Sequence, residues 1–523
     1  MNADDKSQLA AAKKAHYSSG KIRTALKHFL FGRAASAVVS LVTLLLLLRV
    51  LEVEEYGLYV TLIALQGIII LLSGLGLDAT IDRFMPELRL TYNPASLHKA
   101  VLAALSLRLL VLLVVLAVLG GIADWLVTVF GNAGWRELVP WLLAMILANG
   151  LFNLAGNILD TLLLQKWSQI SGFAHVFFRL ALLLGAFFFS TLTVKLVLAA
   201  EIVSTLLALG LGLYALARYF PGSLSEMRAA TLFDRSLNRR ILRFASLNFG
   251  ARVLNQTQGP HGLRLAASHF HGIGAAASFG FVMSLADLLE RYLPTTLLTR
   301  LIRPVFVSRY TAHGDFSQIN GFSSLLVKVN LLVVAPVVML AALYGNYIVE
   351  WVAGDKYIGT AWLLVMALAL LIPNSHKVVI ALVANTLEKN AMQFTGGIFS
   401  LLGLGLGIVL GFEFGLYGIL GGALVAAVAY NFYAVAYLRH SGYAYAPDMW
   451  GAFKIVLASV AGIGAASLLV LAWSDLPVVL LAMLVGLAAY WLLFRWFGVF
   501  DASDRALMAQ VLPRKAHRAL KLL

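Results

Sequence analysis

Seven basic side chains lie inside stretches that are otherwise apolar: Arg33, Arg108, Arg179, Arg252, Lys328, Lys377 and Lys454. A guanidinium presents a planar fork of N–H donors that fits phosphate or carboxylate, whereas an ammonium is a point charge. Within the same stretches only Glu201 and, at an edge, Asp160 oppose them, and these are also the acids available for ion coupling. The excess of base predicts a cationic cavity for a diphosphate or uronic-acid glycan, with Arg33, Arg179 and Arg252 deepest. A competing reading pairs Arg179 or Arg108 with Glu201 or a backbone carbonyl. It also lets Lys377 and Lys454 stretch to the inner surface on their alkyl stems. Asn149, Asn153 and Asn157 recur every four residues, with Asp160 three further on, so one helix face carries all four. Asn248, Arg252, Asn255 and Gln256 form a second polar set. Such amides suit sugar hydroxyls and suit neighbouring helices equally well. Asn374 follows Pro373, which should break its helix and create a hinge, a bent wall or a static kink.

These groups must be carried by membrane helices. The chain has 523 residues, 61% hydrophobic and only 12% charged, with a mean hydropathy of +0.86. A soluble domain carries about a quarter charged residues, so the composition predicts an all-α polytopic membrane protein. Runs of about 20 apolar residues mark spans. Fourteen are expected: Ala25 to Val50, Gly57 to Thr80, Leu97 to Ile122, Leu138 to Leu163, Ile170 to Phe189, Val194 to Leu216, Ile241 to Gln258, Gly272 to Leu289, Phe322 to Tyr344, Ala361 to Val383, Ala391 to Phe412, Leu416 to Leu438, Ala452 to Trp473 and Pro477 to Phe497. The net charge of +15 is distributed by topology. With both termini inside, the outer loops hold only Arg49, Arg136, Lys195, Arg264 and Lys356, as the positive-inside rule requires. A nucleic-acid partner is therefore not expected. Residues 1 to 24 read as a cytoplasmic tail without a cleavable signal, and 499 to 523 as a second tail. The segment Arg291 to Ala312 reads as an interfacial helix.

An internal echo divides the chain. Trp141 to Met145 matches Trp362 to Met366, Phe31-Gly32-Arg33 matches Phe249-Gly250-Ala251-Arg252, and Tyr56-Gly57 matches Phe279-Gly280, all at nearly one offset. Six spans separate the copies, which predicts two pseudo-symmetric six-helix bundles, 25 to 220 and 241 to 440, joined by a cytoplasmic linker 221 to 240 and followed by two further helices in 450 to 498. Gly403, Gly407 and Gly411 form a small-residue row expected to pack helices closely. His261, His269 and His271 fall in one expected outer loop, where interfacial placement competes with metal binding or pH sensing.

Short motifs add a resemblance. Glu54-Glu55-Tyr56-Gly57-Leu58-Tyr59, Gly74-Leu75-Gly76-Leu77, Arg83-Phe84-Met85-Pro86-Glu87, Gly354-Asp355-Lys356-Tyr357 and Phe414-Gly415-Leu416-Tyr417-Gly418 resemble the polysaccharide (O-antigen) flippases of the multidrug/oligosaccharidyl-lipid/polysaccharide exporter superfamily. The resemblance runs from about Ala25 to Phe497 and implies a bilobed transporter of the MATE type. Its implied activity is movement of an undecaprenyl-diphosphate-linked glycan from the cytoplasmic to the periplasmic leaflet of the inner membrane by alternating access. The implied partners are a lipid-linked anionic glycan, the lipid bilayer, and a polysaccharide polymerase or glycosyltransferases. The seventh span departs from the family pattern, with Asn255-Gln256-Thr257-Gln258 where many relatives carry an acid.

The sequence holds no Walker A loop, no His-Glu-x-x-His and no Gly-x-Ser-x-Gly elbow, and it has no cysteine. Neither an enzyme, a cofactor nor a metal site is expected. Two other functions keep the same fold or location: a multidrug or cation antiporter, and a nontransporting subunit of a polysaccharide synthesis or secretion complex. The topology itself is testable. Reporter fusions after Gln165 and Arg439 are expected in the cytoplasm and fusions after Gly131 and Asp355 in the periplasm, and a periplasmic C-terminus would overturn the repeat.

Overall fold

The computed structural model describes residues 19–91, 94–130, 135–220, 235–256, 258–296, 316–387, 389–472 and 475–511. Among these, every regular element is a helix. Hydrocarbon offers no water to peptide groups, so a spanning segment has to satisfy its own N–H and C=O groups, as a helix does. The chain divides into two compact units, Met1–Val253 and Leu254–Leu523.

The first unit contains α1 (Ser19–Val50), α2 (Val53–Leu72), α3 (Leu77–Thr91), α4 (Pro94–Gly121), α5 (Ala123–Phe130), α6 (Trp135–Thr161), α7 (Gln165–Phe189), α8 (Val194–Tyr219) and most of α9 (Arg235–Gln256). α6 packs on α2, α3, α4 and α8, and buries Leu138, Leu142, Met145, Ile146, Leu154 and Ile158 at helical spacings. α4 shows the opposite pattern of a wall helix. Leu107, Leu110, Leu113, Val114 and Val118 lie exposed, as lipid contact requires, while Arg108 and Leu112 turn inward.

The second unit contains α10 (Pro260–Tyr292), α11 (Phe316–Ala353), a 3₁₀ turn at Gly354–Tyr357, α12 (Ala361–Ala369), α13 (Leu371–Thr386), α14 (Asn390–Phe414), α15 (Leu416–His440), α16 (Met449–Ala472), α17 (Leu476–Trp496) and α18 (Ala502–Val511). α11 packs on α12, α13, α16 and α18. The expected small-residue row holds: Gly403 and Gly407 of α14 meet Ala426, Gly422 and the Ile419 backbone of α15.

Several expected boundaries move. Thirteen helices among the described residues are long and apolar enough to cross a membrane, against fourteen expected. The one that falls short is α9, whose Arg239, Arg240, Arg243, Asn248 and Arg252 dilute its apolar residues. The expected outer loop with His261, His269 and His271 is helical instead. α10 starts at Pro260 and kinks at Gly272, which adopts φ +84°, so the arm before the kink folds back along the arm after it. The tenth span breaks at Leu370, just before Pro373, into α12 and α13. The interfacial helix expected to Ala312 lies mostly outside the described residues, as do most of the expected N-terminal tail and of the linker, and residues 512–523 of the C-terminal tail.

The turn between α2 and α3 takes left-handed backbone at Leu75 (φ +47°) and Gly76 (φ +75°), and a methyl at Gly76 would strike the Ala245 carbonyl of α9. Gly76→Ala is therefore expected to lower stability by about 1–3 kcal/mol. Thermal unfolding in detergent checks this against Gly185→Ala, where open space surrounds the added methyl and no loss is expected.

Candidate functional site

The turn at Gly74-Leu75-Gly76-Leu77 delivers Asp78 into the first turn of α3, where the helix dipole favours a carboxylate. Its backbone oxygen accepts a hydrogen bond from Asn157 Nδ2 at 3.2 Å. Its carboxylate lies 3.8 Å from Arg252 Nη1, and both side chains remain about two-fifths open, at 39% and 44%. α9 is further pinned to α3 where Phe244 stacks edge-on against Phe84 and the Arg240 guanidinium lies over the same ring. Nearby, Arg108 donates to the Ile70 carbonyl at 3.0 Å and to that of Gly150 at 3.4 Å, and Asp78 is close enough to act on its charge. The asparagine stripe of α6 runs past this group. Asn149 Nδ2 is buried without a hydrogen-bond partner among the described residues, Asn153 is exposed, and Asn157 is tied to Asp78.

A second group is closed. Glu201 on α8 accepts from Arg179 at 2.9 Å and lies 3.4 Å from His175 Nε2, both on α7, with the Glu201 side chain only 6% open. This is the pairing that competed with a cavity role for Arg179. One carboxylate oxygen of Glu201 accepts from Arg179 and the other lies against His175.

The remaining expected residues scatter. Arg33 is half-buried on α1, which packs along α7. Asn248 bonds its own helix at the Phe244 carbonyl, 2.9 Å away. Asn255 and Gln256 are half-buried at the end of α9, Asp160 is half-buried near the end of α6, and Asn374 is half-buried on α13.

The expected surplus of uncompensated base shrinks, because acids at the ends of the apolar runs (Asp78, Asp287) and beyond them (Asp448, Asp504) pair with it. Arg252 was expected to lack a local carboxylate and has Asp78. Arg264, expected in an outer loop, is buried and pairs with Asp287 at 2.7 Å across the α10 kink. Lys328 is 2% open and pairs with Asp448 at 2.8 Å and with Asp504. Burial works against the charge on Asp448, yet hydrogen bonds from Lys328 and the Gly451 N–H outweigh it and hold the carboxyl below its usual range. Of the two lysines expected to stretch outward, Lys454 reaches back toward the exposed Trp450 at the start of α16, with Nζ 5.9 Å from the ring centre, and Lys377 donates to Ser400 Oγ at 2.9 Å. Asp78, His175 and Asn330 carried no sequence signal as site residues. Asn330 is buried and joins Thr295 to Ser375 on α13. Its position on an apolar helix face could have marked it.

Residues 29–259 match the family described as polysaccharide biosynthesis protein. In overall fold the chain is similar to lipid II flippase MurJ in an inward closed conformation, at 14% identity and a TM-score of 0.66, covering 90% of this chain and 98% of that one. It is also similar to an inward-facing multidrug resistance MATE family transporter of the MOP superfamily, at 15% identity and a TM-score of 0.64, covering 79% and 96%. The MATE transporter VcmN of Vibrio cholerae gives 15% identity and a TM-score of 0.53, covering 84% and 98%. No curated protein matches the chain. The resemblance carried by the loop motifs is borne out by the family match over residues 29–259 together with this all-helical fold, which is similar to those of MurJ and the MATE transporters.

Removing one member of a buried ion pair strands the other. Glu201→Gln is expected to cost about 3–5 kcal/mol and an Arg179→Met/Glu201→Gln double variant to recover most of it. Melting temperatures in detergent check the pair. Equal losses in the single and double variants would remove the case for coupling.

Proposed function

We propose that this protein is a flippase that moves a lipid-linked oligosaccharide or polysaccharide repeat unit from the cytoplasmic to the periplasmic leaflet of a bacterial inner membrane by alternating access. The match to polysaccharide biosynthesis proteins and the fold shared with a lipid II flippase support the class. The observation that carries the reading is local. An exposed Asn153 sits between Asn149 and Asn157 on an otherwise apolar helix, beside a half-open Arg252 and Asp78. Lipid gives such a face no compensation, whereas sugar hydroxyls and a diphosphate do. The undecaprenyl diphosphate is assigned to Arg252, the glycan to the asparagines. Both termini are placed in the cytoplasm, with a polymerase or glycosyltransferase as the working partner.

The fold is equally that of drug transporters, and the pairing of Arg252 with Asp78 gives this face both signs of charge. Transport data therefore decide. Depletion of the protein is expected to accumulate lipid-linked glycan on the cytoplasmic side. Arg252→Ala should reduce flipping by about tenfold or more and Arg252→Lys by less, since lysine keeps the charge and loses the fork. Both variants are expected at normal membrane levels. Drug efflux in a pump-deficient host, without any change in lipid-linked glycan, would establish the antiporter. Lost synthesis without accumulated intermediate, together with copurification of a glycosyltransferase, would establish the nontransporting subunit.

A further inference from the structure

Lys377 is a basic residue of the membrane region for which the described structure provides hydrogen bonding and no ion pair. It lies half-buried on α13, donates to Ser400 Oγ of α14 at 2.9 Å, and places its ammonium 5.4 Å from the centre of the Tyr430 ring of α15. Both neighbouring hydroxyls already spend their protons elsewhere, Ser400 on the Gly396 carbonyl at 3.0 Å and Tyr430 on the Met392 carbonyl at 3.3 Å. An ammonium has three N–H donors. One goes to Ser400 and the ring face takes the charge of a second, which leaves a donor for something outside this set.

The surrounding helices supply no described acid to take it. α12, α13 and α15 contain no Asp or Glu, and the acid of α14, Glu413, stands thirteen residues from Ser400, or about 20 Å along the helix. On α11 the acid is Glu350, far along the helix from Lys328, and Lys328 itself is matched by Asp448 and Asp504. His376, next to Lys377, faces the Tyr445 hydroxyl at 3.1 Å. An ammonium held this way is costly unless an anion or water completes it.

Beside it runs an aromatic row. Tyr430, Tyr433 and Tyr437 share one face of α15, with ring centres 6.0 Å apart between Tyr433 and Tyr437, and Phe399 of α14 lies 5.5 Å from Tyr433. Tyr433 and Tyr437 are half-buried at the edge of the cluster, so part of each side chain stays accessible. Flat rings beside a cation suit a pyranose bearing a negative group, the apolar face of the sugar on the ring and the charge on the ammonium.

We propose that Lys377, Ser400 and the Tyr433–Tyr437 row form an anionic-glycan site within the second unit, in which Lys377 recognises a sugar carboxylate or a phosphate. The proposal rests on the glycan reading above and adds a residue that selects acidic over neutral cargo. Purified protein in detergent is titrated by calorimetry with three probes: a glucuronate-containing oligosaccharide, its neutral glucose counterpart, and inorganic pyrophosphate. The acidic oligosaccharide is expected to bind about tenfold more tightly than the neutral one, the worth of one charge-assisted hydrogen bond. Lys377→Gln should abolish that preference with neutral binding unchanged, and Lys377→Arg should retain most of it. Tyr433→Ala should weaken both sugars alike. Competition by pyrophosphate at Lys377 assigns the phosphate, and preference for glucuronate without such competition assigns the carboxylate. Equal binding of acidic and neutral sugars by the wild type, or an undiminished preference in Lys377→Gln, overturns the site. Should Lys377→Gln not fold, Ser400→Ala, which removes the acceptor that positions the lysine together with the hydroxyl's own bond to the Gly396 carbonyl, is expected to reduce the preference; an unreduced preference there also overturns it. Failure of the flippase reading is separate, since it appears as wild-type protein that leaves lipid-linked glycan unmoved whatever the binding data show.

Discussion

Compensation of positive charge in an apolar surrounding is the constraint on which the arrangement of this protein depends. An ionised side chain at mid-bilayer costs about 2.5–3.5 kcal/mol on insertion scales, so each one has to be met by protein, water or ligand. The chain uses each kind of protein solution. Arg179 takes a buried glutamate, Arg108 takes carbonyls of two neighbouring helices, Arg264 takes an aspartate across a kink, and Lys328 takes two aspartates from distant segments. These pairings also hold helices in register. Arg179 and Glu201 join α7 to α8, and Arg108 joins α4 to α2 and α6. Closed groups of this kind fix the scaffold, while the Arg252–Asp78 pair stays half-open and Lys377 is held by one hydrogen bond and a ring face.

Much of the architecture was legible because hydrocarbon imposes a simple length rule. Apolar runs such as Val194 to Leu216 coincide with α8 almost residue for residue. The rule failed where polarity and span coexist. α9 is helical throughout but too polar to qualify by hydropathy, and the segment with His261, His269 and His271 looked like a loop because its histidines and glycines interrupt the apolar count. Once Gly272 bends the chain, the same residues form one arm of a helical hairpin that buries Arg264.

The site was legible in residue types and much less in their pairings. Spacing alone put Asn149, Asn153 and Asn157 on one face, and the structure keeps them there. It did not reveal that Asp78 closes that face, because its partners Asn157 and Arg252 lie far along the chain and Asp78 itself stands at the edge of an apolar run. A scan that counts acids only inside such runs overstates the uncompensated base. Asp287 stands at such an edge as well, and Asp448 and Asp504 lie outside the runs altogether.

The paired aspartates around Lys328 bear on how the chain is made. Asp448 lies 120 residues after Lys328 and Asp504 lies 176 after it. At ~5–20 residues per second of synthesis, the lysine enters the bilayer roughly 10–35 s before its more buried counter-ion exists. Between the two acids come α16 and α17, whose insertion as a hairpin is what returns Asp504 to the side where Asp448 already waits. A chain that inserts only one of those helices leaves Lys328 with Asp448 alone and without its more buried partner. Completion of this ion triad thus reports, at the end of biogenesis, that the last pair of helices has threaded the membrane in the correct sense.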